Sequence, residues 1–179
     1  MFGKLREYAI MNNVPIIKPE AETILINCLN KYKPTNVVEI WTAIWYSSLV
    51  IANKISSRWG VLTTFEVSYK SYIIALENFI KFWQYNITAY NIDPLLIDLK
   101  NIFYKKRIDF LFVDAVMKLY LDFYIKFEDL LENNAVILLD NVIKFKSKTI
   151  ALYEFLEKNQ IDYKIFSVPP NDWIMMFKK

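Results

Sequence analysis

The chain has 179 residues, with 22 Lys or Arg against 19 Asp or Glu, a formal charge of +3, no histidine and one cysteine. Without imidazole, Ser-His and Cys-His hydrolases, His-ligated zinc and histidine general bases are excluded, so acid–base or metal chemistry falls to Asp, Glu, Lys, Tyr or Asn. A lone cysteine excludes an internal disulfide framework.

Cys28 lies among Ile24, Leu25 and Leu29, which reads as a buried structural thiol and fits a reducing cytoplasm. Glu39, Ser47 and Ser48 interrupt the most apolar region, so nothing approaches the roughly 18–20 residues of a membrane span. Residues Met1–Glu7 lack the apolar core of a secretory signal. The length fits one domain, residues 1–179. Lys105, Lys106 and Arg107, and Lys144, Lys146 and Lys148, could touch phosphates, with a solvated face as the default. Glycine is the anomaly: the chain has 2, where average usage gives about 12.

In chain order, Pro19 opens a helix whose apolar positions run to Tyr32. A turn at Pro34-Thr35-Asn36 leads into a strand over Val37–Ile40, and a helix follows over Tyr46–Ile55. Val61–Phe65 is a strand, Tyr69–Phe82 a helix, Ile87–Tyr90 a short strand, and Asp93–Tyr104 a helix begun by Asp93. Asp109–Val113 is a buried strand, Lys118–Leu131 a helix, Ala135–Leu139 a strand and Lys146–Lys158 a helix. Ile161–Val168 and Trp173–Phe177 are strands joined too tightly for a crossover, so the last must be antiparallel. The fold class is therefore α/β: a Rossmann-like, doubly wound, mostly parallel seven-stranded sheet with an antiparallel last strand.

Carboxylates stand at the carboxyl ends of these strands: Glu39 within the first, then Glu66, Asp114 and Asp140. Open α/β sheets bind ligands along that rim.

Residues 37–48 read V-V-E-I-W-T-A-I-W-Y-S-S. This resembles motif I, E-I-G-T-A-I-G-Y-S, of S-adenosylmethionine-dependent O-methyltransferases of the caffeoyl-CoA and catechol type, and the resemblance extends over residues 8–179. Thr63-Thr64-Phe65-Glu66 resembles the T-T-I-E element, whose carboxylate accepts from both ribose hydroxyls. Asn91-Ile92-Asp93-Pro94 is similar to the element beside the adenine. Asp114-Ala115 and Asp140-Asn141-Val142 resemble the D-A-D-K and D-N-V elements. Residues 1–18, with Asn12-Asn13-Val14-Pro15 near their end, look like the segment folding over the cofactor.

The resemblance implies a cofactor site for S-adenosylmethionine at Asn13, Val14, Glu39, Trp41, Thr42, Ala43, Ser47, Glu66, Val67, Asp93, Pro94 and Asp114. It implies a divalent cation, Mg²⁺ or else Ca²⁺ or Mn²⁺, on Asp114, Asp140 and Asn141, all oxygen donors. The expected activity is metal-assisted O-methyl transfer to a small-molecule hydroxyl, in a cytoplasmic protein without a membrane partner and with a homodimer allowed. The family's base lysine aligns with Met117, leaving the neighbouring Lys118 as the candidate catalytic residue. Val116 replaces the second Asp of D-A-D-K. The segment that encloses aromatic acceptors is shortened.

The alternatives are a catalytically silent binding or dimerisation module and an RNA methyltransferase. Trp41, Trp45, Trp59, Trp83 and Trp173 all stand where the family or a helix end favours glycine. A UGA codon read as glycine accounts for all of them, in an AT-rich gene. As written, Trp41 is expected to weaken cofactor binding.

Overall fold

Seven strands form one sheet in the computed structural model, which describes residues 3–11, 14–104, 107–142 and 146–179. They are β1 (Asn36–Ile40), β2 (Val61–Phe65), β3 (Ile87–Tyr90), β4 (Ile108–Val113), β5 (Leu131–Leu139), β6 (Tyr163–Val168) and β7 (Asp172–Lys178), in spatial order β3-β2-β1-β4-β5-β7-β6. β3 through β5 run parallel, and β7 is antiparallel to both β5 and β6. The expected sheet and its antiparallel last strand are present.

The near-continuous apolar strands reflect burial on both faces. Val37, Leu62, Phe110, Val136 and Met176 pack with α2 (Pro19–Tyr32), α3 (Tyr46–Ser56) and α4 (Tyr69–Lys81). Their neighbours Val38, Leu111, Ile137 and Phe177 point the other way, toward α5 (Tyr120–Glu128) and α6 (Lys146–Lys158). Among the described residues no helix is long and apolar enough to cross a membrane.

Four elements differ from the sequence reading. Residues Gly3–Met11 form a further helix, α1, that weak amphipathicity had hidden. Residues 93–104 are not one helix but two short 3-10 turns, Pro94–Leu96 and Leu99–Asn101, with Ile97 extended between them. Asp98 starts the second turn by accepting from the Lys100 N–H at 3.0 Å, a local bond that competes with helix continuation. The expected helix 118–131 begins as a 3-10 turn, Met117–Leu119, and ends at Glu128. β5 then starts at Leu131 rather than Ala135, because Leu131 pairs with Ile108 before the register shifts around exposed residues 132–134. Lys105, Lys106 and Lys144 lie outside the described residues.

Candidate active site

The chain leaves β1 at the point where the sheet order reverses: β1 has β2 on one side and β4 on the other. Loops after such neighbours diverge and leave a crevice. Here the loop after β1 leans over β2, with the Trp41 and Thr42 N–H groups donating to the Phe65 carbonyl at 3.0 and 3.2 Å. The result is a crevice of about 490 Å³. Pro15 to Lys18 form one wall, and Trp41 to Ile44 with Tyr46 and Ser47 form another. Asp114, Ala115, Met117, Asp140, Asn141 and Asp172 close it from the side of β4, β5 and β7.

Beneath this loop lies Glu39, fully buried on β1. Its Oε2 accepts from the Ser48 and Thr64 hydroxyls. Since Thr64 gives its proton to Glu39, Thr42 must donate across the 2.6 Å contact between the two threonine hydroxyls. Oε1 has no partner. Burial pushes the Glu39 carboxyl above the usual range, against the hydrogen bonds from the Ser48 and Thr64 hydroxyls. Glu39 thus supports the floor of the crevice and is not on its surface.

Glu66 follows β2 and joins two loops. Its Oε2 accepts from the Ala43 N–H at 2.8 Å and its Oε1 from the Ser68 N–H at 2.7 Å. Each oxygen keeps a lone pair for a further donor. Val67, next in the chain, is exposed, and Val14 stands beside the crevice wall with its N–H on the Ala9 carbonyl. Asp93 caps its 3-10 turn through the Leu95 N–H at 2.9 Å, with Pro94 buried behind it. The turn stands beyond β3, outside the crevice lining. Asn13 falls outside the described residues.

The acidic wall is held rigidly. The Tyr120 hydroxyl donates to the Asp140 carbonyl at 2.8 Å, and the Val142 N–H reaches the Trp173 carbonyl at 3.0 Å. Burial raises the Asp114 carboxyl, with the Glu39 and Asp172 charges adding to the effect. Asp140 is also raised, by burial first and then by Asp114 and Asp172. Lys18 answers this charge, its Nζ standing 3.0 Å from Asp172 Oδ2. Neither Lys18 nor Asp172 was among the sequence candidates. They are 154 residues apart, and only the fold brings them together.

Lys118 is exposed on its 3-10 turn and does not line the crevice, whereas Met117 does. Among the described residues no group of three or more His, Cys, Asp and Glu stands close enough to hold a metal. The donor chemistry nonetheless fits a hard cation: Asp114, whose charge raises the Asp140 carboxyl, lines the crevice together with Asp140 and Asn141, all of them oxygen donors.

A doubly wound sheet with this strand order and a ligand crevice between β1 and β4 defines a Rossmann-like methyltransferase fold. Similar solved structures include a candidate caffeoyl-CoA O-methyltransferase from Staphylococcus aureus, at 19% identity and a TM-score of 0.85, with 98% of this chain and 91% of that one covered. A Bacillus cereus O-methyltransferase in complex with SAH aligns at 21% identity and a TM-score of 0.83, covering 98% of this chain and 89% of its own. TomG of Streptomyces achromogenes, an O-methyltransferase involved in tomaymycin synthesis and solved with SAM, aligns at 15% identity and 0.84, covering 99% and 88%. The O-methyltransferase family model matches residues 2–162. The chain belongs to the O-methyltransferase family, whose members take their methyl group from S-adenosylmethionine.

Proposed function

We propose that this protein methylates a hydroxyl of a small molecule, with S-adenosylmethionine seated in the crevice between residues 14–18 and the loop after β1. The observation that carries the reading is the placement of that loop, Asp114 and Asp140 around one crevice at the sheet's reversal point. Glu66 orients the ribose through the lone pairs left free by Ala43 and Ser68. Thr42, Ala43 and Ser47 offer polar backbone and side-chain groups along the same wall. The whole chain acts as one unit, with its first 18 residues as the strap over the cofactor.

Asp114, Asp140 and Asn141 would hold a divalent cation, which when bound supplies a lowered acceptor-hydroxyl pKa and a fixed oxyanion. The protein's own residues supply position: Lys18 and Asp172 fix the strap against the acidic wall, and Met117 excludes water beside it. With Lys118 outside, proton removal falls to the acidic wall or to solvent.

The test is calorimetric binding of S-adenosylhomocysteine, followed by methyl transfer from labelled S-adenosylmethionine to a set of catechols and simple alcohols with and without Mg²⁺. Absence of binding by chains with tryptophan and with glycine at position 41 would refute the reading. A silent module is favoured by one specific observation, the Trp41 side chain on the crevice wall. Binding without turnover on any acceptor would support it.

A further inference from the structure

Tryptophan and glycine have exchanged backbone roles in this protein. Trp41, Trp45, Trp59 and Trp83 have φ of 73°, 111°, 58° and 57°, while no glycine has positive φ. In that region the Cβ of an L-residue crowds the backbone, and only a few per cent of non-glycine residues enter it. Four of five tryptophans there by chance is a coincidence on the order of 1 in 100,000.

The local geometry at each position is one that glycine serves. Gly60 N–H donates to the Ile55 carbonyl at 3.0 Å, and Gln84 N–H to the Phe79 carbonyl at 3.0 Å. These bonds close α3 and α4 in a Schellman pattern, where the left-handed residue just before the donor is usually glycine. That residue is Trp59 in one case and Trp83 in the other, and their side chains are 94% and 75% exposed. Trp83 meets the Tyr85 ring edge-on with centroids 6.2 Å apart, a surface contact that leaves both residues largely exposed, so burial in the core does not explain the choice. Trp45 stands just before α3 without a side-chain cap, and among the described residues its buried indole N–H has no hydrogen-bond partner. Trp41 projects into the crevice wall. Trp173 is different: it lies in β7, half-buried and without positive φ, so the backbone makes no such demand there.

We propose that the working protein carries glycine at positions 41, 45, 59 and 83, encoded by UGA, and that glycine at 41 opens the crevice to the adenosyl cofactor. Some genetic codes read UGA as glycine, others as tryptophan, and the standard code as a stop. The cofactor clause rests on the methyltransferase reading above, and the glycine assignment rests on the backbone alone.

The deciding experiment is peptide mass spectrometry of the protein isolated from the cells that encode it, with inspection of the four codons. Glycine under UGA at all four positions is expected. Tryptophan or a UGG codon at any of them overturns the assignment. Two chains made from synthetic genes then test the consequence, one with the four tryptophans and one with Trp41→Gly, Trp45→Gly, Trp59→Gly and Trp83→Gly. The glycine chain should bind S-adenosylhomocysteine on the order of 100-fold more tightly. The Trp59→Gly/Trp83→Gly pair alone, which touches neither crevice nor core, should raise Tm by roughly 4–8 °C. A fall in Tm for that pair would overturn the backbone argument. Glycine in the natural protein, with equally weak binding by both chains, would keep the assignment and remove the cofactor reading.

Discussion

Glu39 is a carboxyl held where its charge is disfavoured, and that has a measurable signature. Its folded-state pKa is raised by burial, so the stability it contributes is fully present below the unfolded pKa, about 4.3, and declines as pH rises toward the folded value. Glu39→Gln should therefore melt at nearly the wild-type temperature near pH 4 and several degrees above it at pH 8. An equal difference at both pH values would show that the carboxyl titrates alike in the folded and unfolded chains. Glu66 is a carboxylate already supplied with two backbone donors. In a Trp41→Gly/Trp45→Gly background, Glu66→Ala should cost roughly 2–4 kcal/mol of adenosylmethionine binding, about 30- to 1000-fold. Glu77→Ala, exposed on α4, is the control and should change binding little. Asp114 and Asp140 define a third test. Mg²⁺ should raise Tm more at pH 8 than at pH 5, because protonation removes the charge that a cation would neutralise. An Asp114→Asn/Asp140→Asn protein should show no such difference.

Among the elements, β1 is the one on which the site depends, and a single residue sets its start. Asp109 on β4 accepts from the Thr35 N–H at 2.7 Å, the Thr35 hydroxyl at 3.1 Å and the Asn36 N–H at 3.0 Å. Asp109→Ala should cost about 1–3 kcal/mol in urea unfolding, since those backbone donors would turn to water. An unchanged midpoint would mean that the parallel ladder alone fixes β1. The strands were legible because each is a short apolar run with its own turn signals, and burial on both faces leaves that pattern little freedom. Helix ends were less legible. Asp93 and Asp98 each satisfy a backbone N–H within two residues, which makes turns out of a stretch whose apolar spacing suits a helix. The early start of β5 depends on its pairing with Ile108, a long-range contact that spacing does not reveal. At the site, Asp114, Asp140 and Asn141 were readable as strand-end polar residues. Lys18 and Asp172 were not, because the ion pair exists only after α2 and β7 have been brought together.

At the scale of the whole molecule, the order of strands in space departs from their order in the chain at the reversal beside β1 and again at the far edge of the sheet. β7 lies between β5 and β6, and β6 is the sheet's edge with β7 as its neighbour. During synthesis, therefore, Tyr163–Val168 emerges before anything exists for it to pair with. Until Asp172–Lys178 follows, β5 presents an open edge carrying Val136, Ile137, Leu138 and Leu139. Unpaired apolar edges of this kind recruit other chains. Nascent chains stalled on the ribosome with residue 171 just clear of the exit tunnel should need chaperone cover, and should aggregate on release. Chains stalled a dozen residues further on, through a C-terminal spacer, should be protease-resistant before they leave. β7 is thus the wedge that locks the sheet, and the interval between the appearance of β5 and that of β7 is when the protein is most exposed to its own copies.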